Sequence, residues 1–325
     1  MDDGKLREVE HDITVAAPAA EVYRLIAEVE NWPQLFPPTV HAESEKLSGG
    51  EERVRIWATA NGEAKHWTSH RTLDPASLRI EFGQEVSSDP VATMGGTWII
   101  EPLGETESRV RLLHHYRAVD DDPEKLAWID RAVDTNSRSE LGALKRNAEL
   151  LVSGERTADD SDAPLSPVLS FEDGVRIDGS VKDVYDFLNE ARSWTDRLPH
   201  VARVRLTETV PGLQVLNMDT LTKSGESHTT ESIRVCLPHQ RIAYKQTTLP
   251  PLMLLHTGQW RLSEDDSGVT TAVSQHTVVI NIERITELLG PDADLARART
   301  VIRDALGTNS RATLALAKQF AEARR

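Results

Sequence analysis

The feature that most constrains the fold is an internal repeat, because the second half of the chain carries the pattern of the first. The run 22–32 returns as 184–194, an offset of 162 residues (184 minus 22). Trp98 returns as Trp260, and the four residues Thr135, Asn136, Ser137 and Arg138 return unchanged as Thr308, Asn309, Ser310 and Arg311. A tandem duplication explains these matches, so we expect two copies of one scaffold, each with its own core.

Length and local composition predict the domain boundaries. The 325 residues suffice for two domains of roughly 150 residues each. The stretch 153–170 is rich in Asp, Ser and Pro and has no periodic apolar face, which is typical of a tether. We therefore predict an N-terminal domain over 1–155, a linker over 156–169 and a C-terminal domain over 170–325.

Charge and cysteine content argue against several classes of protein. The formal net charge is -15, whereas nucleic-acid binding needs clustered Lys and Arg, so we expect no nucleic-acid partner. Cys236 is the single cysteine and cannot form an internal disulfide, and no apolar run is long enough to span a membrane. These properties predict a cytoplasmic protein without membrane attachment.

Hydrophobic periodicity predicts the order of elements in each copy. An amphipathic helix is indicated by the i, i+3, i+4, i+7 spacing of Val22, Leu25, Ile26 and Val29. From Pro38 to about residue 119 the chain alternates with period two and is interrupted by turn residues such as Asn61-Gly62, which is typical of antiparallel hairpins. After Pro123 the period becomes helical.

A long helix is predicted to end each copy. Its apolar face carries Leu141, Leu144, Ala148 and Leu151 in the first copy and Leu314, Ala317 and Ala321 in the second. The predicted fold class is α+β. It comprises two tandem helix-grip domains, each with a curved antiparallel sheet wrapped around the long C-terminal helix.

The strand over 65–73 contains the most informative polar residues. Alternation places Trp67, Ser69, Arg71 and Leu73 on one face, and the tryptophan and leucine predict that this face points inward. The second copy keeps the pattern as Thr230, Ser232, Arg234 and Cys236. An inward arginine needs a carboxylate, carbonyls or a polar ligand, so it belongs either to a structural ion pair or to a ligand site.

The last strand of each copy directs a histidine inward. The predicted inner face carries Val110, Leu112, His114 and Tyr116 in the first copy and Ala272, Ser274, His276 and Val278 in the second. A neutral imidazole in a cavity can transfer protons, although a core histidine bonded to a carbonyl fits the pattern equally well. If the strand phase is shifted by one residue, His115 takes this place.

Further residues are candidates for the cavity wall. Asn136 and Asn309 either cap the long helix or lean into the cavity mouth. Apolar lining is expected from Trp57, Met94 and Trp98 in the first copy and from Met218, His256 and Trp260 in the second. Gly95, Gly96 and Gly258 lie beside these tryptophans and mark either bulges or room for a ligand. No phosphate loop or metal-ligand spacing occurs, so we expect no cofactor and no metal.

At this point the residues match a known family. The combination of Gly62, Trp67-x-Ser69-x-Arg71 and Leu73-Asp74-Pro75, together with Asn31-Trp32, Leu35-Phe36 and Asn136-Ser137-Arg138, resembles the didomain aromatase/cyclases of bacterial type II polyketide synthases. These proteins belong to the START and Bet v1-like superfamily. The resemblance spans almost the whole chain.

The resemblance implies a function. The cavity would receive a ketoreduced poly-β-ketone tethered by phosphopantetheine to an acyl carrier protein, with the type II synthase components as partners. The enzyme would close the first ring by an aldol reaction between the seventh and twelfth carbons and then dehydrate it. Carried over, Arg71 would polarise a ketone or enolate oxygen, Ser69 and Trp67 would shape the pocket, and Asn136 would lie at its edge. His114 or a water chain would move protons, and Tyr116 would join the substrate-binding wall.

Three points remain open at the level of sequence. Some single-domain relatives have a tyrosine after the short helix, where this chain has Pro37-Pro38-Thr39 and Pro199-His200-Val201. Because Trp67 is lost from the second copy, the N-terminal domain is predicted to carry cyclisation and the C-terminal domain to support it or to assist dehydration. The alternatives are a carrier of a hydrophobic aromatic or lipid ligand, or a second copy that is only a scaffold.

Overall fold

A computed structural model of the chain describes residues 6–155, 165–221 and 227–325. The chain divides into two compact units, Met1–Ala163 and Pro164–Arg325. Most of the predicted linker lies outside the described residues. Its last residues belong to the second domain, because the first strand of that unit begins at Val168.

The N-terminal unit has seven strands and three α-helices among its described residues. In chain order these are β1 (Arg7–Val15), α1 (Ala19–Ala27), α2 (Trp32–Leu35), β2 (Thr39–Lys46), β3 (Glu51–Ala60), β4 (Glu63–Asp74), β5 (Arg79–Val86), β6 (Val91–Pro102), β7 (Ser108–Ala118) and α3 (Pro123–Glu155). Short 3₁₀ turns at Val29–Asn31 and Val119–Asp121 lead into α2 and α3.

The C-terminal unit repeats this order and adds one helix before the last. Its elements are β8 (Val168–Ile177), α4 (Val181–Asn189), α5 (Trp194–Arg197), β9 (Val201–Val210), β10 (Leu213–Leu221), β11 (Ser227–Leu237), β12 (Arg241–Thr248), β13 (Met253–Glu264), β14 (Thr270–Ile280), α6 (Ile285–Leu289) and α7 (Leu295–Glu322). Within the described ranges, no helix combines the length and the apolar character needed to cross a bilayer.

Each sheet is fully antiparallel, and its first strand pairs with its last. The order is β1-β7-β6-β5-β4-β3-β2 in the first unit and β8-β14-β13-β12-β11-β10-β9 in the second. The long helix of each unit packs against its sheet. The predicted α+β helix-grip architecture is therefore confirmed for both copies, and the interior strands β4 and β11 carry the inward arginines.

The helix faces follow the predicted periodicity with one exception. Leu141, Leu144 and Ala148 of α3 are buried, but Leu151 is 45% exposed. Val152 packs against the core in its place. Four residues after Ala148 the helix has turned through slightly more than one turn, which returns Val152, and not Leu151, to the buried face.

Candidate functional site

The N-terminal unit contains two adjoining chambers of about 130 and 100 Å³. Both are lined by Trp32, Ile56, Trp67, Met94, His114 and Glu140. The smaller one, here called the arginine chamber, adds Ser69, Arg71 and Trp98. The larger one, the asparagine chamber, adds Lys65, Trp128 and Asn136. The shared residues make the two chambers one site.

Arg71 lies in the wall of the arginine chamber and is only 2% exposed. Its Nη2 donates to the carbonyl oxygens of Ile26, at 3.3 Å, and Ala27, at 3.4 Å. Its guanidinium carbon is 5.1 Å from the ring centre of Trp32, within cation–π range. Burial lowers the pKa of Arg71 to about 10, with the Glu52 carboxylate opposing the shift, so the side chain remains cationic at neutral pH.

The carboxylate of Glu52 approaches Arg71 from the neighbouring strand, with Oε1 3.3 Å from Nε. Burial raises the pKa of Glu52, and the positive charge of Arg71 opposes that shift. The geometry is that of an ion pair but not of a hydrogen bond, and Nε and Nη1 of Arg71 have no hydrogen-bond acceptor among the described residues. The ion-pair interpretation and the ligand-site interpretation both apply, because the paired guanidinium still lines the chamber.

His114 projects inward from β7 and lines both chambers, as the strand phase predicts. Its ring lies edge-on to Phe82, with ring centres 5.5 Å apart. Burial lowers the pKa of His114 to about 3, so the imidazole is neutral at physiological pH. Its buried Nδ1 has no hydrogen-bond partner in the part of the chain that the structure describes. The satisfied-core interpretation therefore does not explain this nitrogen. The imidazole is unprotonated and can accept a proton, and the burial that keeps it neutral also makes it a weaker base than a free histidine.

Glu140 is the functional candidate that the sequence analysis missed. It lies on α3, lines both chambers, and is partly accessible from within them although it is shielded from bulk water. Burial alone raises its pKa to about 8. The group is therefore a neutral carboxylic acid at pH 7, and can donate a proton. The sequence offered a way to find Glu140. It lies on the same helix face as Asn136, Leu144 and Ala148, at intervals of four residues.

Asn136 is not a helix cap, so that part of the expectation is wrong. The helix begins at Pro123, and the Asp122 carboxylate caps it by accepting from the backbone N–H groups of Glu124, at 2.7 Å, and Lys125, at 3.1 Å. Asn136 lies inside the helix, lines the asparagine chamber, and donates from Nδ2 to the Thr59 carbonyl at 2.9 Å. This bond fixes the helix to β3 at the cavity wall.

Two predicted lining residues lie elsewhere. Trp57 is on the opposite face of β3 from the buried Ile56 and Ala58, and its ring centre is 5.4 Å from that of His41. Tyr116 is buried outside the two chambers, and its hydroxyl donates to Asp130 at 2.5 Å. Neither residue faces a substrate in the chambers. Ser69, Trp67, Met94 and Trp98 do line them, as expected.

The glycines beside the tryptophans make room for side chains of the protein and not for a ligand. A Cβ on Gly96 would lie 2.0 Å from the Leu113 carbonyl oxygen and 2.5 Å from the ring of Phe82. A Cβ on Gly258 would lie 2.4 Å from the hydroxyl of Tyr244. In both units an aromatic ring from the neighbouring strand therefore crosses over the glycine.

The C-terminal unit has a cavity of about 140 Å³, so it is not a filled relic of the duplication. All of the expected second-copy residues line it: Met218, Ser232, Arg234, His256, Trp260, His276 and Asn309. Asn309 again lies inside the long helix, which Asp294 caps by accepting from the Arg297 backbone at 2.8 Å. Tyr244 and Ser310 line the same cavity and were missed by the sequence analysis.

Arg234 repeats the position of Arg71 without its carboxylate. Its Nη2 donates to the Leu188 carbonyl at 2.6 Å, and its guanidinium carbon is 5.0 Å from the Trp194 ring centre. Across the strand pair the residue facing Arg234 is Gln214, whereas Glu52 faces Arg71. The second cavity therefore carries a buried positive charge beside a neutral amide. Among the described residues, no three His, Cys, Asp or Glu side chains are grouped as a metal site requires.

The fold and the two sites define a protein made of two helix-grip domains, each with a cavity lined by a buried guanidinium. A family model described as "Polyketide cyclase / dehydrase and lipid transport" matches residues 7–149. The granaticin polyketide synthase bifunctional cyclase/dehydratase of Streptomyces virginiae is 50% identical over 308 residues, covering 94% of this chain and 97% of that protein.

Two further comparisons extend over both units. The actinorhodin polyketide synthase bifunctional cyclase/dehydratase of Streptomyces coelicolor is 42% identical, covering 94% of each chain. The crystal structure of the di-domain aromatase/cyclase BexL from the BE-7585A biosynthetic pathway is 60% identical and superposes with a TM-score of 0.84, covering 98% of this chain and all of that chain. The chain belongs to the family of didomain polyketide aromatase/cyclases.

Proposed function

We propose that this chain catalyses the aldol closure of the first ring of a ketoreduced poly-β-ketone and the dehydration that makes the ring aromatic. The observation that carries the proposal is the grouping of Arg71, His114 and Glu140 around the N-terminal chambers, in a chain of the polyketide aromatase/cyclase family. An enolate must form and a second carbonyl must be polarised for this reaction, and the three side chains supply a fixed cation, a neutral base and a neutral acid.

The ring closure assigns one role to each group. The imidazole of His114 removes a proton from the carbon between two carbonyls, and the Arg71 guanidinium stabilises the resulting enolate oxygen. The enolate carbon then forms a bond to the second carbonyl carbon, whose oxygen takes a proton from the Glu140 carboxylic acid. The carboxylate of Glu140 recovers its proton from the imidazolium through the shared chamber, so no proton is gained or lost.

The shape of the chambers selects the carbons that react. Trp67, Met94 and Trp98 form rigid walls next to Arg71, while Asn136 marks the wall of the second chamber. A polyketide chain that places one carbonyl at Arg71 has few ways to fold against these walls. Holding the two reacting carbons close together supplies much of the rate enhancement. We assign the closure to the seventh and twelfth carbons.

The partners follow from the same proposal. Relatives named as components of polyketide synthases imply synthase partners, and the substrate would be delivered as a phosphopantetheine thioester of an acyl carrier protein. The competing function is a carrier of hydrophobic ligands. A carrier needs no neutral acid and neutral base beside a buried cation, and the grouping of Glu140 with His114 favours the enzyme.

The test compares two variants that both lack the buried ion pair. Glu52→Gln keeps the guanidinium and reproduces the arginine–amide pair of the second unit, whereas Glu52→Gln combined with Arg71→Met removes the charge. Each is incubated with a minimal synthase, acyl carrier protein and ketoreductase, and the products are resolved by chromatography and mass spectrometry. We expect the single variant to give the first-ring product and the double variant to give spontaneous shunt products. Normal products from the double variant would overturn the role assigned to Arg71, whereas shunt products from the wild-type chain would support the carrier.

A further inference from the structure

A hydrogen-bonded group of polar side chains occupies one wall of the C-terminal cavity. Tyr244 Oη is 3.0 Å and His256 Nε2 is 2.9 Å from Nδ1 of His276. On the other side of the ring, Nε2 of His276 is 2.7 Å from Oγ of Ser310 and 3.2 Å from Oγ of Ser274. Tyr244 is partly accessible; His256, His276 and Ser310 are buried residues that also line the cavity, and Ser274 is buried behind them.

The bonding of Ser310 fixes the direction of the proton chain. When its hydroxyl donates to the Leu306 carbonyl at 2.9 Å, its oxygen accepts from His276, and we therefore assign the His276 proton to Nε2. Nδ1 of His276 is then the shared acceptor of the Tyr244 hydroxyl and of the His256 Nε2–H group. Burial lowers the pKa of His276 to about 4 and raises that of Tyr244, so a phenol faces a neutral imidazole at pH 7.

The first unit has apolar residues in place of three of these five polar groups. The residue across the strand pair from Arg71 is Phe82, and the residue across from Arg234 is Tyr244. At the offset of 162 residues, His256 and Ser274 likewise replace Met94 and Leu112. In the first unit, Phe82, Met94 and Leu112 surround the same chamber as the inward His114, so the repeated scaffold accommodates apolar residues at these three positions.

The second unit also leaves its arginine without a buried counter-charge. Arg234 lies between Gln214 and Tyr244 across the two strand pairs, whereas Arg71 lies between Glu52 and Phe82. The carboxylate of Glu208, which acts on Arg234 electrostatically, is exposed, and a guanidinium without a buried carboxylate beside it stabilises a developing oxyanion more than a buried ion pair does. Arg234 on β11 therefore lies beside Tyr244, the first member of the proton chain, on the adjacent strand β12.

We propose that the C-terminal cavity is a separate dehydration site, in which Tyr244 transfers protons between the cyclised β-hydroxy ketone and His276 while Arg234 stabilises the enolate. This inference rests on the proposed function and assigns its second step. The Tyr244 oxygen takes the proton of the carbon next to the ketone as its own proton passes to His276 Nδ1. The carbon–carbon double bond then forms, the carbon–oxygen bond breaks, and the proton returns through Tyr244 to the leaving hydroxyl, which departs as water.

Three residues position this pair. His256 and Ser310 hold the two nitrogens of His276, and Gly258 leaves the space that the Tyr244 hydroxyl occupies. They act through their neighbours and not on the substrate. Their arrangement explains why an imidazole with its proton on Nε2 is maintained in a buried wall.

The decisive variant is Tyr244→Phe, because phenylalanine is the residue that the first unit accepts at the same place. The matched control is Tyr185→Phe, which removes a hydroxyl from α4 outside the cavity. In the reconstituted synthase, we expect Tyr244→Phe to slow the loss of water about 100-fold, in the range typical of general acid–base groups. The correctly cyclised product should then accumulate with one additional water, while Tyr185→Phe gives the dehydrated product.

The outcomes separate this inference from the proposed function. Dehydration by Tyr244→Phe at the rate of the control would overturn the inference and leave cyclisation intact. Shunt products with other ring closures would place Tyr244 in cyclisation, and would also overturn the inference.

The positioning role of Ser310 is tested with Ser310→Ala, in which ¹⁵N spectra should show His276 losing its single tautomer. A structural role for Ser310 alone predicts an unchanged tautomer.

Discussion

The raised pKa of Glu140 makes a quantitative prediction for folding stability. Glu140→Gln keeps the size and hydrogen-bonding capacity of the side chain but removes its ability to ionise. The carboxyl lines both N-terminal chambers, and burial raises its pKa from the ordinary 4.5 to about 8. In the folded state the group therefore resists losing its proton at neutral pH.

The direction in which stability changes with pH depends on whether the folded or the unfolded chain holds the Glu140 proton more tightly. Below pH 4.5 both the folded and the unfolded chain are protonated, so Glu140 contributes nothing to the pH dependence. Between pH 4.5 and 8 the unfolded chain loses the proton and the folded chain keeps it, so stability falls by about 1.4 kcal/mol per pH unit. This gives an upper limit of about 3.4 kcal/mol at pH 7. Because Glu140 is partly accessible within the chambers, partial solvation of its carboxylate reduces this limit, and we expect Glu140→Gln to gain about 1–3 kcal/mol.

Hydrogen exchange measured by mass spectrometry on the full chain provides the assay. Peptides from α3 and β7 should be better protected in Glu140→Gln than in the wild type at pH 8, and equally protected at pH 4.5. Peptides from the C-terminal unit serve as an internal control and should not change. A difference that is the same at both pH values would refute the reasoning, because it would arise from packing and not from ionisation.

Three further predictions test packing and the limits of the site. Leu144→Ala should destabilise the N-terminal unit by about 2–5 kcal/mol, whereas Leu151→Ala should change its stability by less than about 0.5 kcal/mol, as measured by the same exchange experiment. Trp57→Phe should leave the product profile unchanged, while Trp67→Phe should increase shunt products; equal effects would contradict the assignment of Trp57 to the outer face. Gly258→Ala should displace the Tyr244 phenol and impair dehydration with cyclisation retained; full dehydration would show that this close contact is unimportant.

Much of the fold could be predicted because the two copies constrain each other. Alternation along β4 and β7 correctly identified Ser69, Arg71 and His114 as inward residues, since one face of a strand is set by its tryptophan and leucine. The expectation that Trp57 lines the cavity was wrong. The small Ala58 and the branched Ile56 occupy the buried face of β3, and Trp57 lies between them on the other face.

The missed residues have a common cause. Glu140, Tyr244 and Ser310 are polar groups at positions that periodicity assigns to packing, and their chemistry arises from burial and from neighbours distant in sequence. Comparison of the copies contained a usable signal, because Phe82 aligns with Tyr244 at the repeat offset. The sequence predicted that Arg71 needs a carboxylate, carbonyls or a polar ligand, but not which residue supplies it. Glu52 is brought to Arg71 by the pairing of β3 with β4, which the sequence does not specify.

The ring that crosses over Gly96 in one unit and over Gly258 in the other has an evolutionary consequence. Each glycine fixes the backbone separation, so the ring above it can exchange phenylalanine for tyrosine without any shift of the strands. Two copies of one domain can therefore differ in reactivity by a single oxygen atom, the hydroxyl that Tyr244 has and Phe82 lacks, while both keep the same architecture.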